Sequence, residues 1–205
     1  MFADTLRAVA ASLETPVVIL LLFLIAVVIF MFGTIVVEYF TSHRKLKVKM
    51  PQLIDKLRDE TDTAAVLESS GMLKRQIAAL TEVTKHPRIL NKEREAMAVE
   101  LVTAERARYD GIVNITNTMA KLGPIFGLLG TLIPLGPGIL ALGRGDTYTL
   151  STSLLVAFDT TIAGLIVGAV AVVISTIRMR WYARYMTLLE TAMDCVLEET
   201  NVNTI

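Results

Sequence analysis

The chain has 205 residues, 53% of them hydrophobic and 20% charged, with zero formal net charge and a mean hydropathy of +0.56. A soluble domain carries ~45–50% apolar and ~25% charged residues, so an ordinary soluble fold is excluded. The balanced charge leaves no basic surface for nucleic acid.

Charges crowd into residues 38–121 and 178–199 and nearly vanish from 15–37 and 122–143. That pattern predicts an all-α membrane protein with three transmembrane helices extended by a cytoplasmic helical bundle. Residues 1–16 form an outer N-terminal segment. Residues 17–37 follow as 21 residues without a charge. At 1.5 Å per residue this run crosses a hydrocarbon core of ~30 Å, and it is too long for a signal-peptide core. Pro16 can start the helix, and Glu38 ends the apolar run.

Residues 38–121 read as a cytoplasmic helical region rich in Leu, Ala, Glu, Lys and Arg. Leu53 and Leu57, then Leu73, Ile77 and Leu80, recur at helical spacing, with breaks expected at Gly71 and at His86–Pro87. Met97, Leu101 and Ala104 sit among alternating charges, as on a solvated helix running into the second span. Asn114, Asn117, Thr118 and Lys121 fall at i, i+3, i+4 and i+7 and place a polar stripe where that helix enters the membrane. The stripe suits the inner mouth of a pore, with Asn114, Asn117 and Lys121 at that mouth. It equally suits a wet helix end with a snorkelling lysine.

The second span, 122–142, carries five glycines and three prolines. Pro134 and Pro137 are expected to break or kink its later half. A short outer loop, 143–149, leads to the third span, 150–176, and to a cytoplasmic C-terminal helix, 177–205. Basic residues flank one side of the spans: Arg44, Lys45, Lys47 and Lys49; Arg106, Arg108 and Lys121; Arg178, Arg180 and Arg184. The other side has only Arg7 and Arg144, so the positive-inside rule puts the N-terminus outside. Trp181, Tyr182 and Tyr185 suit an inner-interface belt.

Four polar groups fall near the bilayer midplane. Thr131 lies nine residues beyond Leu122 and Asp159 nine beyond Leu150, each ~14 Å in from its own edge. Thr160 and Thr161 follow at once. A carboxylate at that depth costs ~3 kcal/mol on insertion scales, which makes an ion pathway the first hypothesis. Hydroxyls can replace part of an ion's hydration shell, and a carboxylate can carry a proton or attract a cation. The plainer alternatives are hydroxyls bonded to their own helix and an Asp159 paired with Lys121 or Arg144. Asp159 and Thr161 point ~160° apart, so a regular helix cannot aim both into one pore. Gly164 and Gly168, continued by Ala171 and Ser175, and Gly123, Gly127 and Gly130 on the second span, permit close helix packing and self-association.

No chemistry beyond this is encoded in a recognisable motif. Cys195 is the one cysteine, and His43 and His86 read as ordinary surface histidines. No phosphate-binding, zinc-hydrolase or nucleophile-elbow pattern occurs, so neither an enzyme nor a cofactor is expected, apart from a transported H⁺ or Na⁺.

The segment Pro124–Thr131, PIFGLLGT, resembles the aPllGLLGT signature of the MotA/TolQ/ExbB proton-channel proteins. Residues 157–165, AFDTTIAGL, resemble that family's third-helix motif, Ala-Leu-x-x-Thr-x-x-Gly-Leu. The resemblance implies a homopentamer around one-span ExbD/TolR/MotB-like partners in the cytoplasmic membrane, with ion flow turned into mechanical work. It aligns Thr131 and Thr161 with the motif threonines. Val156 stands where TolQ-like proteins often carry a glutamate. Asp159 lies one turn deeper and ~60° round the helix, and whether it takes over that role stays open. The proline-rich IPLGPG, 133–138, suggests a divergent branch.

The leading expectation is therefore an ion-conducting stator or energiser subunit. The main alternative is a non-conducting membrane scaffold in which Asp159 is a structural contact. A solute transporter fits less well, because three spans are few, no internal repeat is visible and the outer loop is short.

Overall fold

The computed structural model describes residues 2–43, 70–84 and 91–202. Among them the chain forms only helices and turns. Helix α1 spans Phe2–Glu38 and passes into a single π-helical turn, Tyr39–His43. Helix α2 spans Lys74–Thr84, α3 spans Asn91–Leu142 and α4 spans Thr147–Val202. Three of the helices, α1, α3 and α4, are long and apolar enough to cross a membrane. The all-α membrane fold expected from the sequence is the one observed. The expectations placed on Arg44, Lys45, Lys47, Lys49, Leu53, Leu57 and His86–Pro87 lie outside the described residues.

Three boundaries differ from expectation. Helix α1 begins at Phe2 and runs through Pro16 rather than starting there. Helix α3 continues unbroken through Pro124, Pro134 and Pro137. A proline inside a helix removes one backbone hydrogen bond, whereas unwinding in hydrocarbon would expose several polar groups. The helix is thus the cheaper state. Helix α3 ends at Leu142 and α4 starts at Thr147, so part of the stretch 143–149 is already helical.

Two local devices explain that tight link. Gly145 takes φ +77°, a left-handed conformation open to glycine, and its amide donates to Leu142 O at 2.9 Å. Asp146 then caps α4. Its Oδ1 accepts the Thr149 amide at 3.0 Å and its Oδ2 accepts Thr149 Oγ1–H at 2.6 Å. The Thr149 hydroxyl, followed by the Thr149 amide, holds the Asp146 carboxyl below the usual carboxylate range. Gly71, at φ +73°, makes the turn expected ahead of α2.

The chain divides into two compact units. The first comprises residues 1–34 and 113–177 and holds the apolar parts of α1, α3 and α4. Its core joins Leu24 and Val28 of α1 to Val167 and Ala171 of α4, with Met119, Leu122 and Phe126 of α3 beside them. On α1 the buried Val17, Leu21, Leu24, Val28 and Met31 recur at spacings of three and four, while Ile19, Leu22, Phe23 and Phe30 stay exposed. Burial against lipid gains little, since acyl chains are as apolar as leucine. Association here depends on close packing and hydrogen bonds.

The second unit comprises residues 35–112 and 178–205. Leu80 and Val83 of α2 and Ala98 of α3 pack with Met186, Leu189, Met193 and Val196 of α4. Relative to exposure to water, each fully buried leucine there stabilises by ~1.5–3 kcal/mol. Gln76 is wholly buried and bonded at both ends of its amide: its Nε2 donates to Tyr185 O at 2.8 Å and its Oε1 accepts the Leu73 amide at 3.3 Å. Arg178 turns inward, with its Nε 3.5 Å from Glu38 Oε2, and Tyr182 Oη donates to the same carboxylate oxygen at 3.3 Å.

Candidate functional site

Within the first unit, α3 and α4 meet along a seam with almost no side chain between the backbones. A Cβ placed on Gly123 would lie 2.8 Å from Gly164 O and from Gly168 N. One placed on Gly164 would lie 2.6 Å from Gly127 Cα, and one on Gly168 2.8 Å from Pro124 Cδ. The pairing runs 123 with 168, 127 with 164 and 130 with 160, which is an antiparallel register. Gly123, Gly127, Gly130, Gly164 and Gly168 are positions at which a Cβ would meet the facing helix within 3.1 Å. Pro134 is buried on α3, whereas Pro137 is exposed, and Gly138 faces Ser153 instead.

The seam sorts the four midplane groups. Thr160 lies in it: the residue is buried, a Cβ on Gly130 would sit 2.6 Å from Thr160 Cβ, and Thr160 Oγ1 donates to Val156 O and Ala157 O. Its hydroxyl and its surface are both taken by packing. Thr131 and Thr161 are half-buried at the seam's edge. Thr131 Oγ1 donates to Leu128 O at 2.7 Å, leaving its lone pairs to accept.

Helical periodicity fixes on which side these threonines lie. At 100° per residue, Thr131 is ~70° round α3 from the Gly123–Gly127–Gly130 line. Thr161 is ~60° round α4 from the Thr160–Gly164–Gly168 line. Because the helices are antiparallel, both offsets carry the side chains to the same side of the pair. Phe126 and Val167 are offset in the opposite sense, and they are the residues that pack toward Leu24 and Val28 of α1. Helix α1 therefore covers one side of the α3–α4 pair, and Thr131 and Thr161 occupy the other.

Asp159 belongs to the covered side. It is exposed and lines a shallow apolar groove with Ile162, Ala163 and Ile166 of α4 and Ile25 of α1. It forms no hydrogen bond or ion pair among the described residues, so the pairing with Lys121 or Arg144 is not made. The body of α4 separates it from Thr161, as the ~160° divergence requires.

The polar stripe at the inner end of the span also divides. Asn114, Thr118 and Lys121 are exposed, and Thr118 Oγ1 returns to Asn114 O at 2.9 Å. Asn117 is half-buried, and its Oδ1 accepts Ser175 Oγ–H across the helix pair. Asn117 precedes Thr131 by two heptads, ~21 Å along the axis and within ~40° of the same line. Sequence reasoning counted Ser175 only as a small packing residue. The coincidence of an asparagine and a serine at the same inner edge was the signal for this bond.

Three apolar helices, two of them locked by a glycine seam with hydroxyls along one side of that pair, define a polytopic helical membrane protein. The chain belongs to the MotA/TolQ/ExbB proton channel family, whose family model matches residues 68–191, more than half of its length. No curated protein matches the chain. Members of the family are channel or energiser proteins rather than enzymes.

Proposed function

We propose that this chain is the ion-conducting stator or energiser subunit of a membrane complex, with the path lined by Thr131 and Thr161. In this reading several copies, five by resemblance to the family, surround one-span partners of the ExbD/TolR/MotB type in the cytoplasmic membrane. The N-terminus is outside and the second unit is cytoplasmic. The passage of H⁺ or Na⁺ becomes mechanical work on the partner. The observation that carries the reading is that Thr131 and Thr161 share the side of the α3–α4 pair that α1 leaves open. Hydroxyl oxygens there can accept from a hydrated ion or bind it directly. Asn117 and Ser175 extend the polar line to the inner edge, where Lys121 and Asn114 flank the mouth.

Thr160 and Asp159 take other parts. Thr160 supports the path by fixing α4 against Gly130. Asp159, without a hydrogen bond or ion pair among the described residues and turned sideways, is the observation that favours the alternative, a non-conducting scaffold with Asp159 contacting another subunit. The two readings separate by substitution. Thr131→Val and Thr161→Val should abolish ion-driven output while leaving assembly intact. Asp159→Asn should alter assembly under the scaffold reading, with no separable flux defect. Full output in both threonine variants would sink the proposed path.

A further inference from the structure

Three arginines lie within seven residues of α4, just beyond its apolar run, and they are not equivalent. Arg178 is buried against Glu38. Arg180 and Arg184, one turn apart, are exposed, and neither forms an ion pair among the described residues. Trp181 lies between them in sequence and stacks on Tyr39, with ring centroids 5.9 Å apart at 30°. Tyr39 opens the π-helical turn that follows the apolar run of α1, and Phe40 meets it edge-on at 5.5 Å. Tyr39 and Phe40 are 46% and 57% exposed, and Met179 is 53% exposed. Two outward guanidinium groups thus stand beside an aromatic and apolar shelf, at the level where two spans end.

We propose that Arg180, Arg184, Trp181 and Tyr39 form a binding site for the phosphate group of an anionic phospholipid. A guanidinium fork matches phosphate geometry, and amphipathic aromatic rings sit favourably at headgroup depth. Charge complementarity selects the occupant: an arginine pair with no carboxylate partner among the described residues takes an anion, and the neighbouring exposed apolar side chains suit an anion that carries acyl chains. Basic residues at a membrane surface favour anionic lipid by about five-fold each. Only the choice of the cytoplasmic leaflet rests on the topology proposed above. The binding itself can be measured in a symmetric bilayer, so its failure and a wrong topology are distinguishable.

Trp181 is the only tryptophan and therefore reports the site directly. The full chain would be placed in phosphatidylcholine bilayers containing a fixed fraction of either brominated phosphatidylglycerol or brominated phosphatidylcholine, and Trp181 quenching compared. Phosphatidylglycerol should be preferred about five-fold or more. The preference should fall toward unity in Arg180→Gln/Arg184→Gln and persist in Arg180→Lys/Arg184→Lys. Inorganic phosphate should not reduce it relative to chloride at the same ionic strength. Equal quenching by the two lipids, or a preference that survives the glutamine variant, would overturn the site. Competition by inorganic phosphate would overturn the lipid and assign the arginines to a free anion.

Discussion

Gly130 and Thr160 share one space: a Cβ on the glycine would lie 2.6 Å from the threonine's own Cβ. This contact decides what each midplane hydroxyl can do. Thr160 is held in the seam, so its neighbour Thr161 emerges at the edge, on the same side as Thr131. Asp159 is carried round to the flank beside Ile25.

The seam predicts a steep response to added methyl groups. Gly164→Val must push against Gly123 O and Gly127 Cα, both backbone atoms that cannot swing aside. Overpacking of this kind costs ~1–3 kcal/mol or more. Gly136, with nothing within reach of a Cβ, is the control. Thermal unfolding in mild detergent should show a large loss for Gly164→Val and little change for Gly136→Ala. Equal effects would argue against the close approach.

Thr160 and Thr161 are adjacent yet should fail differently. Thr160→Val keeps the shape that fills the space against Gly130 and loses a hydroxyl bonded to its own helix, so output should fall only modestly. Thr161→Val should remove ion-driven output with assembly unchanged. Side-by-side assays of complex yield and ion-driven output check this. Matching defects in the two variants would contradict the division of roles.

Glu38 and Arg178 should behave as a coupled pair. Their side chains are 21% and 6% exposed, so removing one charge leaves the other poorly hydrated. Glu38→Gln is expected to destabilise by about 3 kcal/mol, and Glu38→Gln combined with Arg178→Met to recover much of the loss. Chemical unfolding of Glu38→Gln, Arg178→Met and the double variant measures the coupling. Additive losses would show that the charges act independently.

Asp146 gives a pH signature at the start of α4. Its folded carboxyl ionises below the usual value because Thr149 hydrogen-bonds the charged form. A depressed acid contributes stability above its unfolded pKa, and the contribution fades as pH falls through the folded one. The cap is thus complete at neutral pH and weakens only in strong acid, below pH ~4. The amide shift of Thr149 should titrate with a midpoint below that of an ordinary aspartate and cease to titrate in Asp146→Asn. A midpoint at or above the ordinary value would show that the cap is not formed.

Much of this arrangement is legible in the sequence, for physical reasons. Long runs with almost no charge have one stable form in lipid, so three helices long and apolar enough to cross a membrane follow from composition. Small residues at helical spacing mark the seam through Gly123, Gly127, Gly164 and Gly168. Of the break or kink that Pro134 and Pro137 suggest, the break does not occur, because the membrane makes unwinding expensive. The Glu38–Arg178 pair joins residues far apart in the chain, and no local pattern announces it. Depth alone groups Asp159 with Thr131, Thr160 and Thr161. Separating them needs the rotational position of each helix, which depends on which face Leu24 and Val28 cover.

The most direct test of the proposed path is cysteine accessibility. With Cys195 replaced by serine, Thr131→Cys, Thr161→Cys and Asp159→Cys would each be exposed, in assembled complexes in membranes, to a charged, membrane-impermeant thiol reagent. A water-filled path lined by the two threonines predicts labelling at positions 131 and 161 and protection at 159, which faces the α1 groove. Labelling at 159 with protection at 131 and 161 would contradict it and would put the aqueous route on the other side of α4.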